Sequence, residues 1–121
     1  MNLYVVSGDA YTGVRRLVVT VVDENDAAVD LTGTTMTFMV KRRRTDDDAD
    51  ALITKAVGTG VTLATPQSGA TKGIAYIALD PTDTEDLSGK YPWELAAEDS
   101  VGPIRLAAGW FRVASDLIVG V

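Results

Sequence analysis

The chain has 121 residues, which suits one compact domain, residues 1–121, and leaves no room for a second of ordinary size. It contains neither cysteine nor histidine, which excludes disulfides, thiolate and imidazole metal sites, and catalytic groups of the Ser-His-Asp or Cys-His type. With 11 basic and 17 acidic residues its net charge is −6, which disfavours general nucleic-acid binding because such binding depends on neutralising phosphates.

The sequence also carries little indication of a membrane. It lacks an apolar run of the roughly 18 residues that a membrane-spanning helix needs. Residues 1–9, MNLYVVSGD, have neither the basic start nor the long apolar stretch of a secretory signal. We expect a protein that is made in the cytoplasm and has no membrane partner.

β-Branched residues, which favour strands, recur in short runs that glycine, proline and acidic residues separate. The first of these runs is apolar on both faces near its end, which predicts a central strand. The apolar alternation of the others has the period of two that is typical of half-buried strands. Strands are predicted over residues 14–22, 34–43, 52–57, 61–64, 73–79, 90–98 and 104–113.

One segment, residues 82–88, has the signals of a helix. Thr82 and Glu85 have the spacing of a capping box, acidic residues crowd the first turn, and Gly89 stands where a helix would stop. The segment is long enough for one or two turns, with Leu87 as its apolar anchor.

These elements predict an all-β fold of about seven or eight strands with one short helical turn. An immunoglobulin-like antiparallel β-sandwich is the architecture that such spacing favours. A small closed barrel is the alternative.

One acidic loop is the only segment in which the spacing of acidic residues resembles that of metal ligands. Asp46, Asp48 and Asp50 alternate as the first ligands of a calcium loop do. Ala51 and Val57 stand where such a loop requires glycine and glutamate, so we expect solvated carboxylates and no metal.

A basic run, residues 41–44, precedes that loop. Alternation along a strand sends its four side chains to two faces, so nucleic-acid contact is not expected. The remaining acidic residues lie in predicted turns and on outer faces, and no glycine-rich phosphate loop is present. We therefore expect neither enzymatic activity nor a cofactor.

The two tryptophans are predicted to have different environments. Trp93 alternates with apolar residues and should lie in the core. Gly109 predicts a bulge that turns Trp110 and Arg112 outward, and an exposed tryptophan beside arginine has the composition of a binding hot spot. The alternative interpretation is that Trp110 covers a sheet edge or a packed C-terminal tail.

Both ends of the chain are apolar. Leu3 and Tyr4 near the start, and Leu117, Ile118 and Val119 in the segment 115–121, are costly to leave in water. Each end would add a strand either to its own sheet or to the sheet of a neighbouring molecule. In the second arrangement, residues 115–121 form an assembly segment. Candidate partner-contact residues are thus Trp110, Arg112, Leu117, Ile118, Val119, Leu3 and Tyr4.

Several motifs follow one another in a familiar order. They are Gly8-Asp9, VTVVD at 19–23, VDLTGT at 29–34, MTFMVK at 36–41, the strand at 73–79, TEDLSGKYPWEL at 84–95 and GWFRV at 109–113. This order resembles the small immunoglobulin-like domains of tailed-phage structural proteins, in particular the N-terminal domain of the baseplate upper protein family.

The resemblance implies a non-enzymatic virion component that is made in the host cytoplasm and docks onto other virion proteins, with a homo-oligomer expected. The chain lacks the long extensions that baseplate upper proteins carry, so tail, baseplate, neck and capsid all stay open as its station. The alternative is a carbohydrate- or protein-binding sandwich module. That alternative needs a platform of exposed aromatic rings, for which Trp110, Tyr4, Tyr11 and Tyr76 are available.

Overall fold

The computed structural model describes residues 1–98 and 102–115. Strands dominate, and α1 (Pro81–Thr84) is the single α-helix of this described part. The predicted all-β class is confirmed. The strands are β1 (Asn2–Val6), β2 (Leu17–Thr20), β3 (Thr35–Val40), β4 (Ile53–Val57), β5 (Gly60–Leu63), β6 (Ile74–Ile77), β7 (Gly89–Glu98) and β8 (Pro103–Ala114).

All eight strands belong to one hydrogen-bonded, barrel-like sheet with the order β1-β8-β7-β3-β4-β5-β6-β2. Most pairs are antiparallel, but β1 pairs with β8 in parallel and β4 pairs with β5 in parallel. The expectation of a purely antiparallel sheet is therefore wrong for these two pairs. No hairpin turn joins β1 to β8, so nothing in the connection requires them to run in opposite directions.

The core is built around three aromatic rings from neighbouring strands. Phe38 of β3 lies 5.7 Å from Trp93 of β7 and 6.3 Å from Phe111 of β8, measured between ring centroids. Trp93 is only 1 % exposed, which confirms its predicted place in the core. Leu31, from the loop before β3, is also buried.

The strand predicted as central lies at one end of the sheet. Residues Gly13–Arg15 form a 3-10 turn, so β2 begins only at Leu17. Among the strands that the structure describes, β6 is the only one that pairs with β2. Val18 points outward and is half exposed, while Arg16 stacks over the Tyr76 ring at 4.3 Å. Apolar residues on both faces were misleading here because an outward valine on a terminal strand has the same sequence pattern as a buried one.

The helical turn starts one residue earlier than predicted, because Pro81 occupies its first position and makes Asp80 the N-cap. The capping box therefore joins Asp80 to Asp83, not Thr82 to Glu85, and the Asp80 amide donates to Asp83 Oδ2 at 2.8 Å. The same carboxylate accepts from Lys55 Nζ at 2.9 Å, which ties the turn to β4. The helix ends at Thr84, well short of residue 88.

Gln67 joins the loop before β3 to the loop between β5 and β6. Its side-chain oxygen accepts from the amides of Leu31, at 3.1 Å, and Gly73, at 3.0 Å. Its side-chain nitrogen donates to the carbonyls of Ala64, at 2.8 Å, and Ile74, at 3.2 Å. One amide side chain thus forms hydrogen bonds with four backbone groups from three segments.

Gln67→Ala should lower the free energy of unfolding by about 2 to 4 kcal/mol, because four hydrogen bonds worth about 1 kcal/mol each are lost together. Urea denaturation measures the change. Asn25→Ala, which removes an amide side chain from an exposed turn, is the control and should change stability by less than about 0.5 kcal/mol. Equal stability of the two variants would contradict this role for Gln67.

Gly109 does not form the predicted bulge. The register between β7 and β8 shifts between Leu95 and Ala96, which pair with Ala107 and Arg105, so the extra residue is Leu106. The reason for glycine at position 109 is a close approach, since a Cβ there would lie 1.6 Å from the carbonyl oxygen of Met1. That same carbonyl accepts the indole N–H of Trp93 at 3.1 Å.

Gly109→Ala should lower the free energy of unfolding by at least about 2 kcal/mol, because the added methyl group must displace the start of β1. The indole N–H of Trp93 should at the same time lose its protection from hydrogen exchange, which NMR detects directly. Ala114→Ser adds one heavy atom at an exposed position of the same strand and should have neither effect. A stable Gly109→Ala variant with a protected indole would show that Met1 does not lie over residue 109.

Candidate partner-binding surface

The parallel pairing of β1 with β8 gathers polar and aromatic side chains on the outer face of the sheet. Asn2 lies beside Trp110 and Tyr4 beside Arg112 in the β1–β8 register, and Lys90 of β7 lies opposite Arg112. These five residues line a shallow cavity of about 60 Å³. We call Asn2, Tyr4, Lys90, Trp110 and Arg112 the aromatic patch.

Trp110 is the centre of the aromatic patch. Its side chain is 41 % exposed, and the Lys90 ammonium lies 4.5 Å from its ring centroid. The guanidinium of Arg44, from the loop between β3 and β4, lies 6.0 Å from the same centroid. Both distances suit cation–π attraction, which holds two cations against the indole. The predicted outward direction of Trp110 and Arg112 is confirmed, although the Gly109 bulge that was to cause it is absent.

No carboxylate of the described residues forms an ion pair with the cations at the aromatic patch. Within residues 1–98 and 102–115, the ion pairs are Lys41 with Asp48, Lys55 with Asp83, and Arg105 with Glu94. Lys90, Arg112 and Arg44 take part in none of them. Cations are therefore concentrated at the aromatic patch of a chain whose net charge is −6.

The other residues predicted to contact partners have different positions. Leu3 is 7 % exposed and packs in the core of its own sheet, whereas the neighbouring Tyr4 is 63 % exposed. Of the two arrangements left open for the N-terminal segment, pairing within the chain is the one observed. Leu117, Ile118 and Val119 lie outside the described residues.

Sequence reasoning missed Asn2, Lys90 and Arg44 as members or neighbours of this surface. Lys90 had a usable signal, because it lies three residues before the predicted core residue Trp93 and so points to the opposite face of β7. Asn2 had none, since its position beside Trp110 depends on the parallel register of strands 108 residues apart in the chain.

A larger groove lies on the outer face of β3 and β7, with a volume of about 410 Å³. One wall is the loop after β3, where Lys41 Nζ pairs with Asp48 Oδ1 at 2.7 Å. The other wall carries Arg105, whose Nε donates to Glu94 Oε2 at 3.0 Å. Its lining also includes Thr35, Thr37, Met39, Arg44, Pro92, Ala96 and Glu98. Because Lys41 and Arg105 already have carboxylate partners, less free charge is available here than on the aromatic patch.

The aspartates with calcium-like spacing serve the loop that carries them. Asp48 pairs with Lys41, and Asp46 Oδ2 accepts the amide of Arg43 at 3.3 Å. The Lys41 ammonium also donates to the carbonyl of Asp46 at 2.9 Å. In the described ranges of the chain, no three acidic side chains are grouped so as to hold a metal ion.

Comparison with known proteins finds no family model, no curated protein and no solved structure that matches this chain. Among residues 1–98 and 102–115, no helix is long and apolar enough to cross a membrane.

Trp93 and Trp110 should respond very differently to truncation. Trp93→Ala should cost about 3 to 5 kcal/mol of unfolding free energy, because it empties the centre of the core. Trp110→Ala should cost about 1 kcal/mol or less, since its ring is half exposed and its loss leaves no internal cavity. Urea denaturation of both variants tests this, and a similar loss for the two would show that Trp110 is a core residue.

Proposed function

We propose that this chain is a non-enzymatic structural domain of a tailed-phage virion, which docks its outer sheet surface onto other virion proteins. The observation that carries the proposal is the aromatic patch, an exposed cluster of tryptophan, tyrosine and cations on β1, β8 and β7. Its cations form no ion pair with any residue that the structure describes. Tryptophan, tyrosine and arginine are the residues that most often dominate the energy of protein interfaces. The tail, the baseplate, the neck and the capsid remain possible stations for it.

The immunoglobulin-like arrangement is part of this proposal. In this arrangement β1-β8-β7-β3-β4 form one layer and β5-β6-β2 form the other. The division between β4 and β5 is supported by their short pairing, because only two residue pairs join these two strands. Tyr91 gives further support. Its hydroxyl donates to the carbonyl of Ser88 at 2.7 Å and accepts the Ser88 amide at 3.2 Å, much as the tyrosine corner of immunoglobulin domains bonds to nearby backbone.

The open edge of β1 supports docking as the mode of action. In the part of the chain that the structure describes, β8 is the only strand that pairs with β1, and β6 the only one that pairs with β2. Unpaired strand edges are templates for association with other chains, and proteins that do not use them commonly protect them. Two such edges per molecule would let copies join one another as well as other virion proteins, which fits a homo-oligomer.

A carbohydrate-binding module is less well supported by the aromatic residues. The hydroxyl of Tyr11 accepts the Val6 amide at 2.7 Å and its ring packs against the core. The ring of Tyr76 is covered by Arg16, and that of Trp110 lies against Lys90 and Arg44. Tyr4 alone of the four candidates keeps a largely open ring, which is too little for a flat sugar platform.

Mass spectrometry of gradient-purified phage particles from the organism that encodes this chain tests the proposal. The chain should copurify with intact virions in a fixed ratio to the major tail or capsid protein. Its presence only in the soluble fraction of the lysate would contradict a virion role. A glycan array of the pure protein provides the second arm, and specific, saturable sugar binding would favour the carbohydrate-binding alternative.

A further inference from the structure

We infer that the aromatic patch binds an acidic, extended segment of a different protein, which adds as a strand to the open edge of β1. This inference rests on the proposed docking function and specifies the chemistry of the partner. It follows from three properties of the described residues: the unpaired cations, the direction of the backbone groups of β1, and the alternation of side chains along that edge.

Charge identifies the partner as acidic. Lys90 and Arg44 lie 4.5 and 6.0 Å from the centre of the Trp110 ring, and Arg112 lines the same cavity as Trp110. None of the three cations has a carboxylate partner in the described part of the chain. The rest of the molecule is strongly acidic, so non-specific attraction would draw basic ligands to other surfaces. A ligand selected by this patch should instead carry negative charge, because complementary potentials determine which partner an interface accepts.

Hydrogen bonding shows which backbone groups of β1 are available. The Ser7 amide donates to Ala114 of β8 at 2.8 Å, whereas the Val6 amide points away from β8 and donates to the Tyr11 hydroxyl at 2.7 Å. Backbone groups alternate in direction along a strand, so Asn2 and Tyr4 present theirs on the same side as Val6. An added strand would find N–H and C=O groups of Asn2 and Tyr4 in position for a ladder.

Side-chain geometry then places the acidic residues of the partner. A strand added to β1 would lie about 10 Å from β8, twice the usual spacing between strands. The side chain of Arg112 and that of a glutamate on the new strand together cover this distance across Tyr4. Because alternate residues share a face, the partner should have acidic residues at every second position.

Protein is favoured over nucleic acid for two reasons. Three neighbouring cations are few for a phosphate backbone, and the net charge of −6 repels it. An open strand edge recognises a polypeptide backbone and offers nothing equivalent to a nucleic acid.

Selection from a random dodecapeptide display library against the full chain tests the inference. Enriched peptides should carry net negative charge with acidic residues at alternate positions. Binding should fall about tenfold or more in the Lys90→Glu/Arg112→Glu variant, because charge reversal converts attraction into repulsion. Arg42→Glu/Arg43→Glu has the same change of charge on the exposed loop and should bind within about twofold of the natural chain. In NMR exchange, the amides of Asn2 and Tyr4 should become protected by an enriched peptide.

Several outcomes would overturn the inference. The inference would be wrong if the selection enriched basic peptides or no peptides at all. It would also be wrong if acidic peptides bound the Lys90→Glu/Arg112→Glu variant as well as they bind the natural chain. Tighter binding of a single-stranded oligonucleotide to the same patch would overturn it too, as would a change of oligomeric state in that variant by light scattering, which would make a second copy the occupant. Circular dichroism must show that both double variants fold. None of these results decides whether the chain is a virion component, which particle composition tests separately.

Discussion

The position of the N-terminal strand depends on one close contact, that of the Met1 carbonyl with the backbone of Gly109 and the indole N–H of Trp93. A side chain at residue 109 would occupy the place of that carbonyl. The contact also satisfies the only polar group of the largest buried side chain in the core. Through it, the interior of the sheet determines where β1 lies on β8, and hence which residues of β1 reach the outer surface.

The outer surface follows from that placement. The parallel register puts Asn2 beside Trp110 and Tyr4 beside Arg112, while β7 supplies Lys90 from the other side. Leu3 and Val5 alternate inward and are buried, so β1 contributes to the core and to the aromatic patch at the same time. The cost of exposing a tryptophan is reduced by the two cations that lie against it. The stability of the fold and the proposed binding surface thus depend on the same strand pair.

Local patterns predicted the strands well, because alternation with a period of two reports directly on which side chains are buried. The alternation in β7 was enough to place Trp93 inside, whereas Trp110 points outward as predicted but without the Gly109 bulge on which that prediction rested. What the sequence could not supply was pairing between distant segments. Gly109 was interpreted as a bulge because the Met1 carbonyl that requires a glycine there is 108 residues away. Likewise, apolar residues on both faces of β2 could not reveal that this strand ends the sheet.

The proposed function requires that this molecule act through the face formed by β1, β8 and β7. Cryo-electron microscopy of the assembled particle is its most direct test. We expect this face to lie against another protein, with Trp110 buried at the contact and an additional strand beside β1. A domain whose β1–β8–β7 face is exposed to solvent in the assembled particle, with its contacts made elsewhere, would contradict it.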